Sequence, residues 1–209
     1  MIVALGLLLA SYLLGSLSGS LLLGRLRGVD IRAAGSGSTG GTNALRTQGW
    51  WFALGTVAID IGKGALAAWL ALRFLPAGMH PAWTYACAFA AALGHVWPVF
   101  HGFRGGKGAA TLVGGLAVLW PQALVPGLMV WVLALMWTGF VGLSTMLAGA
   151  AILVAAMAWA EPPVRVAYAA AIALFLLFTH RANITRLKRG NEPRFERARV
   201  LGRLMDRGP

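Results

Sequence analysis

Apolar residues come in long runs along this chain, separated by short stretches rich in glycine, proline and arginine. The runs cover about 1–23, 50–75, 81–100, 108–120, 121–140, 142–159 and 164–180. A hydrocarbon core about 30 Å thick takes about 20 apolar helical residues to cross, and only helices or closed barrels satisfy their backbone groups there. Most of the runs reach that length. The run 108–120 is short, and Pro121 separates it from the next, so the two read as helices joined by a tight turn. The pattern predicts an all-α integral membrane protein: one membrane domain over 1–209, with seven transmembrane helices and a basic tail at 181–209.

Composition strengthens this reading. The chain is 58% hydrophobic and only 11% charged, where soluble domains carry about 25%. No positive segment precedes the first run, which argues against a signal peptide. The net charge of +12 would suit nucleic acid, but basic residues in a membrane protein first mark its cytoplasmic loops, and no nucleic-acid recognition motif is present.

Charge also sets the topology. Arg25, Arg27 and Arg32 follow the first run, which places the N-terminus outside. Seven crossings then bring the C-terminal tail into the cytoplasm, whereas a single crossing over 108–140 would export it. The tail carries nine of the 18 basic residues; with Arg25, Arg27, Arg32, Arg46, Arg104 and Lys107, 15 of the 18 lie on the cytoplasmic side. Three polar stretches, around Ser36, Lys107 and His180, then share one cytoplasmic rim.

Some positions inside the runs stand out. Gly15 with Gly19 and Ser16 with Ser20 are small-xxx-small pairs that let another helix approach closely. Asp60 and Lys63 are spaced i,i+3 on one helix face; they read either as a functional pair or as a structural one turned away from lipid. Cys87, the single cysteine, lies in an apolar run, so no disulfide framework or CxxC site is available.

The polar stretches carry the chemistry. Gly35 to Arg46 sets hydroxyls, an amide and an arginine among glycines, the parts needed to wrap an oxyanion. Gly102 to Thr111 holds four glycines, Arg104 and Lys107 just before a helix, where backbone N–H groups and a cation can hold phosphate. It is not a nucleotide P-loop: His101 stands where the first glycine belongs, and Gly108 where the hydroxyl belongs. His95, just upstream, reads either as a packed interfacial histidine or as a partner of this loop. His180 and Asn183 share a side if the last helix continues through them. The histidines 80, 95, 101 and 180 lack metal-ligand spacing, and no Gly-x-Ser-x-Gly elbow or Ser/His/Asp set is evident, so neither metal nor cofactor is expected.

These residues carry a resemblance. Gly35-Ser36-Gly37 through Thr42-Asn43 with Arg46, Gly94-His95 with Gly105-Gly106-Lys107-Gly108-Ala109-Ala110-Thr111, and His180-Arg181-Ala182-Asn183-Ile184 with Gly190 and Glu192 closely resemble three motif regions of the bacterial acyl-phosphate:glycerol-3-phosphate acyltransferases, the PlsY family. Asp60 to Gly64 and Ser144 are similar to that family as well, and the likeness runs from Met1 to about Glu192. Ser38 stands where the family usually has asparagine, and Gly41 where alanine often precedes Thr-Asn; neither removes a phosphate-binding hydroxyl or cation.

The resemblance implies transfer of a fatty acyl group from acyl phosphate to the 1-hydroxyl of glycerol 3-phosphate, giving 1-acylglycerol 3-phosphate and phosphate, at the cytoplasmic face of a bacterial inner membrane. It implies catalytic roles for His180, Asn183, Lys107 and Ser36. It implies substrate-binding roles for Ser38, Thr42, Asn43, Arg46, His95, Arg104, Gly105, Gly106, Gly108, Thr111, Ser144 and Glu192. The expected partners are the two substrates and membrane lipids, and the expected state is a monomer. Two phosphates of charge near −2 held about 6 Å apart would repel by about 10 kcal/mol at an effective dielectric constant of about 20, so cations must offset them. The proton of the attacking hydroxyl has two candidate acceptors, His180 or a substrate phosphate. A transporter of a small phosphorylated metabolite is the alternative class, though no inverted repeat is apparent.

Overall fold

A computed structural model describes residues 1–205; Arg207 of the basic tail lies outside the described residues. Among these, every regular element is helical: α1 (Ile2–Gly15), α2 (Gly19–Arg27), α3 (Gly41–Gln48), α4 (Trp50–Phe74), α5 (Ala82–Val96), α6 (Ala109–Leu119), α7 (Leu124–Thr138), α8 (Val141–Ala158), α9 (Pro163–Thr179), α10 (Arg181–Lys188) and α11 (Val200–Met205). The chain forms two compact units, Met1–Pro121 and Gln122–Pro209.

Among the described residues three helices are long and apolar enough to cross a membrane, Trp50–Phe74, Pro121–Thr138 and Val141–Ala158. The count rises to five if each of two bent pairs is one span: α1 with α2, bent by 42°, and α9 with α10, bent by 56°. Helix α5, with 15 residues, and α6, with 11, are shorter than a full crossing. Trp50 and Trp51 stand exposed at the start of α4, as interfacial anchors do.

In the first unit α4 packs on α5 and α6, and α1 on α5. Small residues make this possible. A methyl group on Gly64 would collide with the Thr111 backbone and one on Gly114 with the Ile61 carbonyl, so α4 and α6 touch backbone to backbone. Gly15 of the small-xxx-small pair lies on Ala91 and Gly94 on the Tyr12 carbonyl, which brings α1 equally close to α5.

Three expectations from the sequence are corrected. The run 1–23 is not one helix: the chain breaks between Gly15 and Gly19. Backbone groups freed within a membrane need internal partners, and the buried charges supply them. Lys63 Nζ donates to the Leu17 carbonyl (2.7 Å) and the Gly19 N–H donates to Asp60 Oδ1 (3.2 Å), while the two side chains pair at 2.9 Å. The intramembrane pair is thus tied to the break. Second, the stretch 24–49 is not wholly loop, since α2 runs on to Arg27 and α3 begins after the Gly40 cap. Third, the last helix does not continue through His180; the bend there removes the i,i+3 argument that put His180 and Asn183 on one side.

In the second unit α8 packs on α7 and α9, α10 lies against both α8 and α9, and α11 returns onto α7. The tail is tied down at the α7–α8 turn, where the Phe195 N–H donates to the Gly139 carbonyl (2.7 Å) and the Arg194 guanidinium lies over the Phe140 ring at 4.9 Å.

Candidate active site

The serine-glycine loop is built around one buried amide. Asn43, in the first turn of α3, accepts the Ser36 N–H at Oδ1 (2.9 Å) and donates through Nδ2 toward the carbonyls of Ile31 (3.2 Å), Ala34 (3.1 Å) and Ser38 (2.9 Å). Both ends of that amide are engaged by the loop itself, so Asn43 shapes the loop that carries Ser36 and Ser38. Ser36 is exposed, and Ser38 Oγ accepts the Gly40 N–H (3.3 Å), a loop contact and not a general base. Ser20 Oγ donates to the Thr39 carbonyl (2.7 Å) and fastens the loop to α2. Thr42 stands half-buried early in α3 and Arg46 exposed in its last turn.

The glycine-lysine loop leaves α5 through Pro98 and enters α6 at Gly108. Gly108, at φ 85°, caps the helix in the left-handed region that a side chain resists. Phe103 holds φ 59° without that freedom, a strain of about 1–3 kcal/mol that the Phe103 N–H to Pro98 carbonyl bond (3.0 Å) keeps in place. Gly105 rests on the His95 carbonyl, and the Gly106 N–H donates to it (3.1 Å). Lys107 is half-buried and Arg104 exposed. The first N–H groups of α6 have no partner within the helix and carry its positive dipole end. Thr111 lies in that first turn, fully buried, its hydroxyl without a hydrogen-bond partner among the described residues.

The segments leading into these two loops are linked within the first unit. Asp30 grips the Arg32 guanidinium with both carboxylate oxygens (2.8 to 3.2 Å), and Arg32 Nη1 donates to the carbonyl of His101 at the start of the glycine-lysine loop (3.3 Å). The Arg32 hydrogen bonds hold the Asp30 carboxyl below its ordinary range, and Asp30 raises Arg32 in return. Burial lowers the His101 pKa, with smaller contributions from the cations Arg32, Arg25 and Lys63. Sequence reasoning counted Arg32 only as a topology signal. The Asp-x-Arg spacing beside the glycine loop was the clue to its second role.

His95 belongs to both the loop and the buried pair. It is 3% exposed, its Nδ1 lies 2.8 Å from Lys63 Nζ and 3.4 Å from Asp60 Oδ1, and its Nε2 edge lies against Gly106. The structure thus sets it beneath the loop, the second of the two readings left open above.

The third polar region belongs to the second unit. His180, 4% exposed, sits at the α9–α10 bend with Nδ1 2.8 Å from the Leu176 carbonyl. A carbonyl oxygen only accepts, so Nδ1 carries the proton and Nε2 is the basic nitrogen. Asn183 Nδ2 donates to Glu192 Oε1 and Arg186 Nε to Glu192 Oε2, each at 2.6 Å. Glu192, buried with both oxygens engaged, therefore orients Asn183. Gly142 lies flat against the Asn183 amide, and Ser144, fully buried, donates to the Phe140 carbonyl (3.0 Å).

Long apolar helices and polar, glycine-rich loops define an integral membrane protein. The sequence model described as glycerol-3-phosphate acyltransferase matches residues 5–190, and the chain belongs to that family. Glycerol-3-phosphate acyltransferases from Symbiobacterium thermophilum and Thermus thermophilus are similar to it. The first is 41% identical over 184 residues, 88% of this chain and 90% of the relative; the second is 39% identical over 199 residues, 95% and 98%. The fold matches crystal structures of PlsY (YgiH), an integral membrane glycerol 3-phosphate acyltransferase. Its glycerol 3-phosphate form has a TM-score of 0.85 at 33% identity, covering 92% of this chain and 95% of that one. Its lysophosphatidic acid form has the same TM-score at 32% identity, covering 95% and 98%.

Proposed function

We propose that this protein transfers a fatty acyl group from acyl phosphate to the 1-hydroxyl of glycerol 3-phosphate, releasing 1-acylglycerol 3-phosphate and phosphate. The observation that carries the reading is likeness over nearly the whole chain to a protein solved in glycerol 3-phosphate and lysophosphatidic acid forms. Acyl phosphate as donor agrees with the site chemistry. A mixed anhydride already has a good leaving group, so the protein has to hold anions and accept one proton. Direct transfer needs no acyl-enzyme.

In this reading Lys107, the N–H groups of Gly108 to Ala110 and the Thr111 hydroxyl hold phosphate oxygens, with Arg46, Arg104 and the Ser36 loop adding donors and charge. The hydroxyl oxygen attacks the acyl carbon, the bond from that carbon to the phosphate oxygen breaks, and phosphate leaves with the electron pair. His180 Nε2 accepts the hydroxyl proton, and Asn183, held by Glu192, donates to the substrate. Purified protein with radiolabelled glycerol 3-phosphate should form product from acyl phosphate and not from acyl-CoA or acyl carrier protein. Absence of product from acyl phosphate overturns the proposal, and equal turnover from acyl-CoA overturns the donor assignment.

We read the membrane arrangement as seven crossings of a bacterial cytoplasmic membrane, the N-terminus outside and the site facing the cytoplasm, with α5 and α6 adding to the five longer spans. The distribution of basic residues supports it. A cysteine introduced at Arg199 should react with a membrane-impermeant maleimide in inverted vesicles and not in intact cells; the opposite pattern would reverse the orientation.

A further inference from the structure

The ammonium of Lys63 has three N–H donors and no lone pair. Three acceptors surround it: the Leu17 carbonyl at 2.7 Å, His95 Nδ1 at 2.8 Å and Asp60 Oδ1 at 2.9 Å. With Lys63 charged beside the Asp60 carboxylate, its three N–H groups match the three acceptors one for one. His95 Nδ1 must then present its lone pair, and a neutral imidazole with a lone pair on Nδ1 carries its proton on Nε2. Asp60 Oδ1 does not compete for that nitrogen: it already accepts from Lys63 and from the Gly19 N–H (3.2 Å), and it lies 3.4 Å from Nδ1.

The protonated edge of the ring faces the loop. A methyl group on Gly106 would overlap Nε2 and lie 3.0 and 3.1 Å from the adjacent ring carbons, so glycine is what lets the loop sit down on this edge. The Gly106 N–H to His95 carbonyl bond, 3.1 Å, holds the loop there from the backbone side. His180 shows the reverse arrangement, with its proton on Nδ1 and its lone pair on Nε2. One histidine is prepared to give a hydrogen bond and the other to take a proton.

We propose that Lys63, with Asp60, is a positioning residue that fixes His95 as the Nε2–H tautomer, making His95 a permanent hydrogen-bond donor to the anion held by the Gly105–Lys107 loop. This rests on the reading of that loop as a phosphate site. The buried pair therefore has two tasks. It satisfies the backbone at the α1–α2 break, and it sets the polarity of a ring beneath the loop, 32 residues beyond Lys63 in sequence. A neutral imidazole that donates avoids adding another full charge beneath Lys107, and it cannot switch to accepting without leaving one Lys63 N–H unpaired.

Nitrogen-15 NMR of the full-length protein in lipid bilayers, labelled at histidine and with the His95 signal assigned by its loss in His95→Gln, tests this directly. The expected result is a single tautomer with Nε2 protonated, and a shift of the Nε2 resonance on titration with inorganic phosphate. Lys63→Met should convert His95 to the Nδ1–H form or to a mixture. It should also raise KM for the phosphate-bearing substrates about ten- to a hundredfold, the loss expected for one hydrogen bond to a charged group, with a smaller change in kcat. A purely structural lysine would not move the tautomer.

Because Lys63 also braces the helix break, the wild-type spectrum decides the matter even if Lys63→Met does not fold. An Nδ1–H or averaging tautomer in the wild type overturns the inference, as does an unchanged KM in a folded Lys63→Met. Acyl transfer without any response of His95 to phosphate sinks this proposal and leaves the function standing. The expected tautomer and phosphate response without acyl transfer does the reverse.

Discussion

His180→Asn lowers kcat by about 10²–10⁴-fold and leaves KM for glycerol 3-phosphate little changed, the range that removal of a general base produces. Asparagine is the informative replacement because its amide N–H falls near the position of Nδ1. It can keep the donation to the Leu176 carbonyl, which in His180 spans 2.8 Å, while the basic Nε2 disappears. Steady-state kinetics with both substrates varied read the two parameters apart. If a substrate phosphate takes the proton instead, kcat falls by less than about tenfold, below the usual range for a lost general base. A rise in KM with a modest change in kcat would make His180 a positioning group. The helix bend at this residue sets up the experiment: the ring is buried and its Nδ1 is fixed by the Leu176 carbonyl, which gives Nε2 a defined orientation.

Lys107→Met produces the second large effect, a loss of about 10²–10³-fold in kcat/KM, comparable to deleting one preorganised donor from an oxyanion site. The methionine keeps the length and apolar stem and removes only the charge. Repulsion between two phosphates near 6 Å apart is on the order of 10 kcal/mol, so a cation between them acts more strongly in the transition state, where the leaving phosphate gains charge, than in either binary complex. Lys107→Arg should recover part of the activity, because the charge returns on a planar fork of different reach. Arg104→Ala serves as the comparison. Arg104 is exposed at the edge of the same loop, where solvent screens its charge, and its removal should cost much less. Equal losses at the two positions would mean that the loop acts through its net charge and not through a placed ammonium.

Much of this was legible in the chain itself. Apolar runs of spanning length marked the helices, and α4, α7, α8 and α9 begin and end within a few residues of the boundaries read from hydropathy. The cations of the glycine-lysine loop marked the candidate phosphate site, since polar residues interrupt a membrane protein only where they have partners or a task. Where the reading fell short, the cause was a contact between residues far apart in sequence. The break after Gly15 looks like continuous helix because Gly-Ser-Leu-Ser-Gly is apolar enough to span. It is stable as a break because Asp60 and Lys63, more than forty residues on, take up the freed N–H and carbonyl. Asn43 and Glu192 showed the same limit. Their residue types suited substrate binding, but Asn43 is hydrogen-bonded to the loop that precedes α3, and Glu192 to Asn183 and Arg186 of α10.

The sequence alone therefore determined the class of protein and marked the polar segments proposed to carry its chemistry, because hydropathy, glycine content and charge act locally and can be read one stretch at a time. The tertiary structure decided which polar groups support and which remain for a ligand, because that depends on where each donor finds its acceptor. His95 turns on this point. Its residue type permits either role, and only the ammonium of Lys63 on one side and the backbone of Gly106 on the other decide which nitrogen bears the proton.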